Sequence, residues 1–222
     1  MNLFILVLEI IGTVAFAISG AMTGLKKQMD IFGVSILGLT AAVGGGVIRD
    51  IILGVTPPVT FQDPLYAFIA IGTAIIVFIP VVHRWMMRNT RIYEKVLILM
   101  DALGLGIFTA VGIRVAYQVS EDFNKFLLIF VGVVTGVGGG IMRDILAGNT
   151  PFIFVRHVYA VASIIGAVVC VILWTVAGSL YAMLAGMTII VVIRLLSFRF
   201  KWNLPRVKGF DEMDSSLNNK KQ

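Results

Sequence analysis

Seven long runs of apolar residues, separated by short polar segments, make up most of the chain. A helix that crosses a bilayer needs about 20 mostly apolar residues, and each run is close to that length. Proline and glycine lie between the runs, where helices tend to stop. The pattern predicts an all-α integral membrane protein with seven transmembrane helices. The runs cover 3–25, 32–54, 64–83, 96–118, 124–147, 155–177 and 180–198.

The composition excludes most soluble classes of protein. Of the 222 residues, 59% are hydrophobic and 14% are charged, whereas about a quarter of an ordinary soluble domain is charged. The single cysteine, Cys170, cannot form a disulfide scaffold. The net charge of +6 would suggest nucleic-acid binding in a soluble protein. Here the basic residues lie between apolar runs, so we expect no nucleic-acid partner. We interpret the basic residues first as setting the orientation of the chain in the bilayer, and second as contacts to anionic membrane lipids.

The distribution of basic residues predicts how the chain crosses the membrane. If the N-terminus is outside, most basic residues fall in cytoplasmic segments, as the positive-inside rule requires. The opposite side then holds little beyond Lys125. We therefore expect a multi-pass protein of the inner membrane, N-terminus outside and C-terminus cytoplasmic, with residues 199–222 as a mobile tail. The cytoplasmic residues would be Lys26, Lys27, Arg84, Arg88, Arg91, Lys95, Arg156, Arg199, Lys201, Arg206 and Lys208.

An internal repeat is the most informative feature of the sequence. The segment from Gly44 to Pro57 returns 94 positions later, from Gly138 to Pro151, with nine of fourteen residues identical. Residues 1–90 and 91–178 would then be two three-helix units, followed by a seventh helix at 179–198. Because three is odd, the second unit must enter the membrane inverted, an architecture that recurs in transporters. Upstream, an offset of 92 relates Glu9, Gly12, Phe16 and Gly20 to Asp101, Gly104, Phe108 and Gly112.

Each copy of the repeat contains three successive glycines inside an apolar run. A glycine costs roughly 1 kcal/mol relative to alanine within a helix, so the triplets are the easiest places for these helices to bend or unwind. Freed carbonyls that line a cavity can coordinate a cation. The alternative is close helix packing, but duplication in inverted units favours kinks along an ion pathway. The predicted pathway residues are Gly44, Gly45, Gly46, Gly138, Gly139 and Gly140.

Charged residues also lie inside the predicted spans. A charge at a helix centre costs roughly 2.5–3.5 kcal/mol on insertion scales, so such residues face a cavity or a partner. Since neighbours on a helix point in different directions, we expect each motif arginine to pair with another helix at the same depth. The alternative is that these are snorkelling or purely structural charges. The gating or substrate-contact candidates are Glu9 with Arg49 and Asp50, and Asp101 with Arg143 and Asp144.

The other polar residues indicate no enzyme chemistry. The two histidines, His83 and His157, lie at helix ends, and no metal motif, catalytic set or nucleotide-binding loop appears. We therefore expect no enzyme, no cofactor and no metal beyond a permeant ion. Arg194 is interpreted as an interfacial anchor near the end of the seventh helix, and Arg114 has no assigned role.

With the duplicated Gly-Gly-Gly-x-x-Arg-Asp-x-x-x-Gly-x-Thr-Pro motif and two three-helix units, the chain resembles the prokaryotic relatives of the trimeric intracellular cation channels. The resemblance implies a homotrimer with one pore per subunit, bounded by kinked second and fifth helices. It also implies permeation by monovalent cations, chiefly potassium, with sodium as the other candidate. Animal members carry a Lys-Glu-Val element, but here the order is Glu94-Lys95-Val96. Their lipid and calcium regulation is therefore not expected.

The same family is also labelled a transporter of glycine, which gives a second hypothesis. For that substrate, Arg49 or Arg143 would meet the carboxylate, and Glu9 or Asp101 the ammonium group. The same residues therefore fit a channel and a small-amino-acid carrier.

Overall fold

The computed structural model describes residues 3–87, 89–120, 122–155 and 158–202. These residues form ten helices connected by short turns, and no strand occurs among them. The helices are α1 (Leu3–Lys26), α2 (Ile31–Ile52), α3 (Val59–Gln62), α4 (Leu65–Phe78), α5 (Pro80–Met87), α6 (Thr90–Val119), α7 (Lys125–Leu146), α8 (Phe152–Val155), α9 (Tyr159–Ala177) and α10 (Ser179–Phe200).

The all-α membrane architecture is confirmed, whereas the count of seven long spans is not. Among the described residues, six helices are long and apolar enough to cross a membrane, namely α1, α2, α6, α7, α9 and α10. The predicted third span, 64–83, is divided: α4 ends at Phe78 and a new helix begins at Pro80. Proline lacks the N–H that would continue α4, but it fits the first turn of a helix. The remaining apolar helix, α4, is therefore short.

Three other boundaries differ from the sequence prediction. Helix α6 begins at Thr90 and not at 96, because the Asn89 side chain accepts a hydrogen bond from the Arg91 N–H at 2.8 Å and caps the helix. Helix α9 begins at Tyr159, four residues after the predicted start of the sixth run at 155. Helix α10 continues to Phe200, so the predicted tail begins as helix. Residues 203–222 of that tail lie outside the described residues.

The sequence repeat is also a repeat of local structure. Asp30 caps α2 by accepting from the Gly33 N–H at 2.7 Å, and in the second copy Asn124 caps α7 in the same way. Both helices end in a turn with a left-handed glycine, Gly54 at φ 73° and Gly148 at φ 64°. Side chains other than glycine rarely adopt that conformation. The two copies therefore start and stop their helices by the same interactions.

The duplicated helices α2 and α7 cross in direct backbone contact. A Cβ atom on Gly45 would lie on the carbonyl oxygen of Thr135, and one on Gly139 would lie on that of Ala41. The later residue of each helix faces the earlier residue of the other, so the helices run antiparallel and the contact is reciprocal. Helix α2 continues through its triplet without interruption, as does α7. The backbone is therefore not unwound at the triplets, and Gly45 and Gly139 serve close helix packing.

Two central helices, α1 and α6, connect the rest of the fold. Helix α1 packs against α2, α4 and α6, while α6 packs against α7, α9 and α10. Helix α10 lies on α6 and α9. The helix that follows the duplicated units therefore covers the second copy.

Candidate ion pathway

Each motif arginine pairs with the aspartate that follows it. Arg49 Nε donates to Asp50 Oδ1 at 2.9 Å, and Arg143 Nε donates to Asp144 Oδ1 at the same distance. The expectation that adjacent residues could not pair is wrong. Neighbouring Cβ atoms on a helix point in different directions, but the arginine side chain is long and flexible enough for its guanidinium to reach the carboxylate of the next residue.

The second carboxylate oxygen of each aspartate fixes the chain beyond the turn. Asp50 Oδ2 accepts from the Val59 N–H, where α3 begins, at 2.9 Å. Asp144 Oδ2 accepts from the Phe152 N–H, where α8 begins, at 2.9 Å. The Arg-Asp pair is thus a structural element of both copies, and it holds a short helix over the end of α2 or α7.

The first copy lies beside a cavity of about 390 Å³, which we call the Glu9 cavity. Glu9 does not bond the motif arginine but accepts a hydrogen bond from the Tyr66 hydroxyl. Arg49 is 9% exposed, and Glu9 and Arg49 line the same cavity. Arg114, unassigned from the sequence, also lines it. The predicted Glu9–Arg49–Asp50 cluster is thus replaced by groups that share a cavity.

The second copy is buried. Arg143 Nη1 donates to Asp101 Oδ1 at 2.7 Å and also to the Ser19 hydroxyl, and its Nη2 lies 2.9 Å from Asp144. Its side chain has no exposed surface, and it stacks over the Phe152 ring at 4.9 Å. The expected proximity of Asp101, Arg143 and Asp144 is therefore present, and Arg143 does not line the Glu9 cavity.

Arg194 joins this buried cluster, which corrects its interpretation as an interfacial anchor. It is 4% exposed, its Nη2 lies 3.8 Å from Asp101 Oδ2, and its guanidinium lies 4.6 Å from the centre of the Tyr159 ring. Sequence reasoning missed Arg194 and Tyr159 because neither lies in the repeated motif. The available signal was the arginine itself, inside an apolar run.

A second cavity of about 500 Å³, the Lys26 cavity, lies at the other end of α1. Thr23 and Lys26 of α1 line it, together with Glu94, Asp144 and Asn149. Thr23 is fourteen residues beyond Glu9, which is about 21 Å along a helix. Thr13 of α1 also lines the Glu9 cavity, so the nearest lining residues of α1 are about 15 Å apart along the helix, roughly half the thickness of a bilayer's hydrocarbon core.

Buried side chains separate the two cavities. Phe16 stacks on Phe108 with ring centres 5.6 Å apart, and one turn further along α1 Ser19 contacts Arg143, which holds Asp101. We call Phe16, Ser19, Asp101 and Arg143 the plug. Between the two cavities there are thus aromatic rings on the side of the Glu9 cavity and an ion pair on the side of the Lys26 cavity.

The six glycines do not share one surface. Gly46 lines the Glu9 cavity. Gly45 and Gly139 form the helix crossing, and Gly138 lies beside Gly45. A Cβ on Gly140 would lie 2.8 Å from the Tyr159 hydroxyl, and one on Gly44 would meet Met142. Among the residues described, no group of three or more metal-ligating side chains is placed to hold a metal ion.

A family model described as Glycine transporter matches residues 6–81 and 98–175. The chain belongs to this family, also known as the TRIC family. It is 37% identical to the UPF0126 inner membrane protein YadS of Escherichia coli over 200 residues, 89% of this chain and 93% of YadS. It is 34% identical to the UPF0126 membrane protein YvgT of Bacillus subtilis over 198 residues, 89% and 94% of the two chains.

Solved TRIC structures share the fold. One, solved to explain conductance through TRIC cation channels, is 38% identical with a TM-score of 0.80 and covers 91% of this chain and 97% of its own. The TRIC trimeric intracellular cation channel orthologue from Rhodobacter sphaeroides is 31% identical with a TM-score of 0.81, covering 90% and 99%. The resemblance drawn from the motif is confirmed. Membership of this TRIC family of membrane proteins also confirms that the protein is not an enzyme.

Proposed function

We propose that this TRIC-family protein is a channel for monovalent cations, chiefly potassium, and that ions pass from the Glu9 cavity to the Lys26 cavity within one subunit. The observation that carries the proposal is the pair of cavities at opposite ends of α1 and α6, separated by the plug. The solved relatives at comparable identity are cation channels. A channel requires only a wettable path with weak binding along it, and carboxylates line both cavities.

In this proposal the plug opens when its ion pair separates. Arg143 and Asp101 exclude water while they are bonded, and each becomes a polar lining group once they part. The glycine crossing supports such a motion, because backbones in contact without side chains can slide past each other. The pore would then be bounded by α2 and α7, and the six triplet glycines would act at this crossing and beside it.

We further propose that residues 1–90 and 91–178 are inverted units, that 179–198 is an added helix, and that the N-terminus lies outside the inner membrane. The antiparallel crossing of α2 and α7 supports the inversion, and loop charge supports the orientation. Single cysteines placed at Asp122 and at Lys208 test it in intact cells. Labelling of the Lys208 site, but not of the Asp122 site, by an impermeant reagent would overturn the orientation.

We also propose that three copies assemble, each with its own pore. The support is the description of the Rhodobacter sphaeroides relative as trimeric. Native mass measurement of the complex with its bound lipids tests the number of subunits and identifies any anionic lipid that remains attached. A dimer would contradict this assembly.

Glycine transport is the second candidate, and one feature of the Glu9 cavity favours it. The cavity places a carboxylate, Glu9, and two guanidinium groups, Arg49 and Arg114, around a volume of about 390 Å³. These groups complement the ammonium and carboxylate ends of a zwitterion. A carrier, unlike a channel, would need this cavity to close around its substrate.

Reconstitution of the purified protein distinguishes the two candidates. In planar bilayers with potassium chloride we expect resolved unitary currents that reverse at the potassium potential under a gradient. Vesicles from the same preparation should show no saturable glycine uptake above empty vesicles. Saturable uptake without unitary currents would reverse the assignment.

A further inference from the structure

Arg194 lies in the buried cluster of Asp101, Arg143 and Asp144, although it does not belong to the repeated motif. It comes from α10, outside both copies of the motif, yet it reaches the carboxylate of Asp101 in the plug. The ring of Tyr159 supports its guanidinium at 4.6 Å, a distance at which a cation is attracted to an aromatic face. Arg194 is thus held beside Asp101 by two elements, α9 and α10.

The bonding of Asp101 is incomplete on the side that faces Arg194. Its Oδ1 accepts from Arg143 at 2.7 Å, while its Oδ2 is buried without a hydrogen bond. Arg194 Nη2 lies 3.8 Å from Oδ2, which is too long for a hydrogen bond. Arg194 Nε and the Tyr159 hydroxyl are also buried without one. The plug therefore contains one bonded arginine and a second, unbonded arginine for the same aspartate.

The charge balance of the cluster depends on Arg194. Arg143 and Arg194 together balance Asp101 and Asp144. If Arg143 moves while Arg194 is absent, Asp101 becomes a buried carboxylate without a counterion, which is strongly unfavourable. A movement of about 1 Å would bring Arg194 to the 2.7–2.9 Å of a charge-assisted hydrogen bond.

We propose that Arg194 is a positioning residue for gating, which takes over Asp101 when Arg143 leaves it. Arg143 then moves with Asp144 toward the Lys26 cavity, which Asp144 already lines. Water that enters the opened plug meets the free Tyr159 hydroxyl. This inference rests on the proposed pathway, and it gives the added helix α10 a role in opening.

Accessibility of Ser19 tests the exchange without any measurement of current. Ser19 is fully buried against Arg143, so a Ser19→Cys thiol reacts only when the plug opens. The background is Cys170→Ala, which removes the native thiol. With a small cationic methanethiosulfonate reagent, we expect Arg194→Gln to slow modification about tenfold, a typical coupling between two states. Arg194→Lys, which keeps the charge, should slow it less.

Arg199→Gln is the matched control, because it removes one positive charge from an exposed position of the same helix. Equal modification rates in Arg194→Gln and Arg199→Gln would overturn the proposal, as would faster modification in Arg194→Gln. If Arg194→Gln yields no folded protein, the measurement is made with Arg194→Lys against the unsubstituted residue, and an unchanged rate there overturns the proposal.

A second test repeats the Ser19→Cys measurement in a protein whose Asp101 carboxylate has been removed. In Asp101→Asn, Arg194 has no carboxylate to take over, so Arg194→Gln should no longer slow the modification. A tenfold slowing that persists there would overturn the proposal.

The outcome is independent of the identity of the transported solute. Unitary potassium currents with a modification rate that ignores Arg194 would overturn this inference and leave the channel in place. A rate that depends on Arg194 in a protein without currents would support the exchange and refute the channel.

Discussion

The two Arg-Asp motifs have the same internal bonds but different surroundings. In both, the arginine Nε lies 2.9 Å from the neighbouring aspartate, which also holds a backbone N–H at 2.9 Å. Arg49 nevertheless borders a cavity, while Arg143 is fully buried. The motif therefore builds the turn, and residues outside it decide whether the arginine is beside a cavity or in a plug.

The residues at the equivalent position of α1 and α6 account for much of the difference. Glu9 has one methylene more than Asp101 and bonds Tyr66. Asp101 bonds Arg143 directly. On the second side Arg194 of α10 adds another cation. The surroundings of the two copies of the motif thus differ by one shorter side chain and by one helix outside the repeat.

The largest expected loss of stability is at the crossing of α2 and α7, to which each copy of the repeat contributes a glycine. Gly45→Ala and Gly139→Ala should each leave little folded protein, because the added Cβ would overlap a backbone carbonyl of the opposite helix. Forcing two backbones apart should cost more than the roughly 1–3 kcal/mol of ordinary overpacking. The yield of monodisperse protein and its thermal unfolding measure the loss.

The matched control lies in the same triplet. A Cβ on Gly46 would have Arg49 Nη2 at 3.7 Å as its nearest neighbour, so Gly46→Ala should fold normally. Unequal losses at Gly45 and Gly139 would contradict the reciprocal crossing.

The fold was largely predictable from the sequence, since apolar runs of membrane length specify helices with little ambiguity. The failures have local causes. Pro80 interrupts an apolar run that hydropathy alone reads as continuous, and glycine triplets favour close packing as readily as unwinding.

The candidate site was harder to predict than the fold. Pairing residues at the same depth in the membrane correctly predicted the contact between Asp101 and Arg143, because both lie in long regular helices. Pairing by depth did not predict the partner of Glu9, which bonds Tyr66 of the short helix α4. Arg194 was missed because a repeat gives no information about residues outside it.

The next largest effect is the difference in stability loss between variants of the two motif arginines, Arg49 and Arg143. Arg143→Gln leaves the fully buried Asp101 without its bonded counterion, so the free energy of unfolding should fall by about 3–5 kcal/mol. Arg49→Gln should cost clearly less, because Arg49 borders the Glu9 cavity, and water there can occupy the space that the shortened side chain leaves beside Asp50. Thermal unfolding in detergent compares the two variants.

Asp101→Asn/Arg143→Gln sharpens the comparison. If the pair only holds the fold, the double variant should recover stability over Arg143→Gln while any conductance stays unchanged throughout. If the pair gates the pathway, open probability should change in each variant. Equal destabilisation by Arg49→Gln and Arg143→Gln would show that the cavity does not hydrate the first motif.

The smallest effect concerns the bond that distinguishes Glu9 from Asp101. Tyr66→Phe removes the hydroxyl that donates to Glu9, and we expect the free energy of unfolding to fall by about 1 kcal/mol, as for one hydrogen bond. Tyr181→Phe is the control, since that side chain is 67% exposed. In a double-mutant cycle, Glu9→Gln and Tyr66→Phe should be non-additive, because the two side chains share one contact. Additive losses would mean that Tyr66 does not hold Glu9 away from Arg49, and the asymmetry of the two copies would then require another cause.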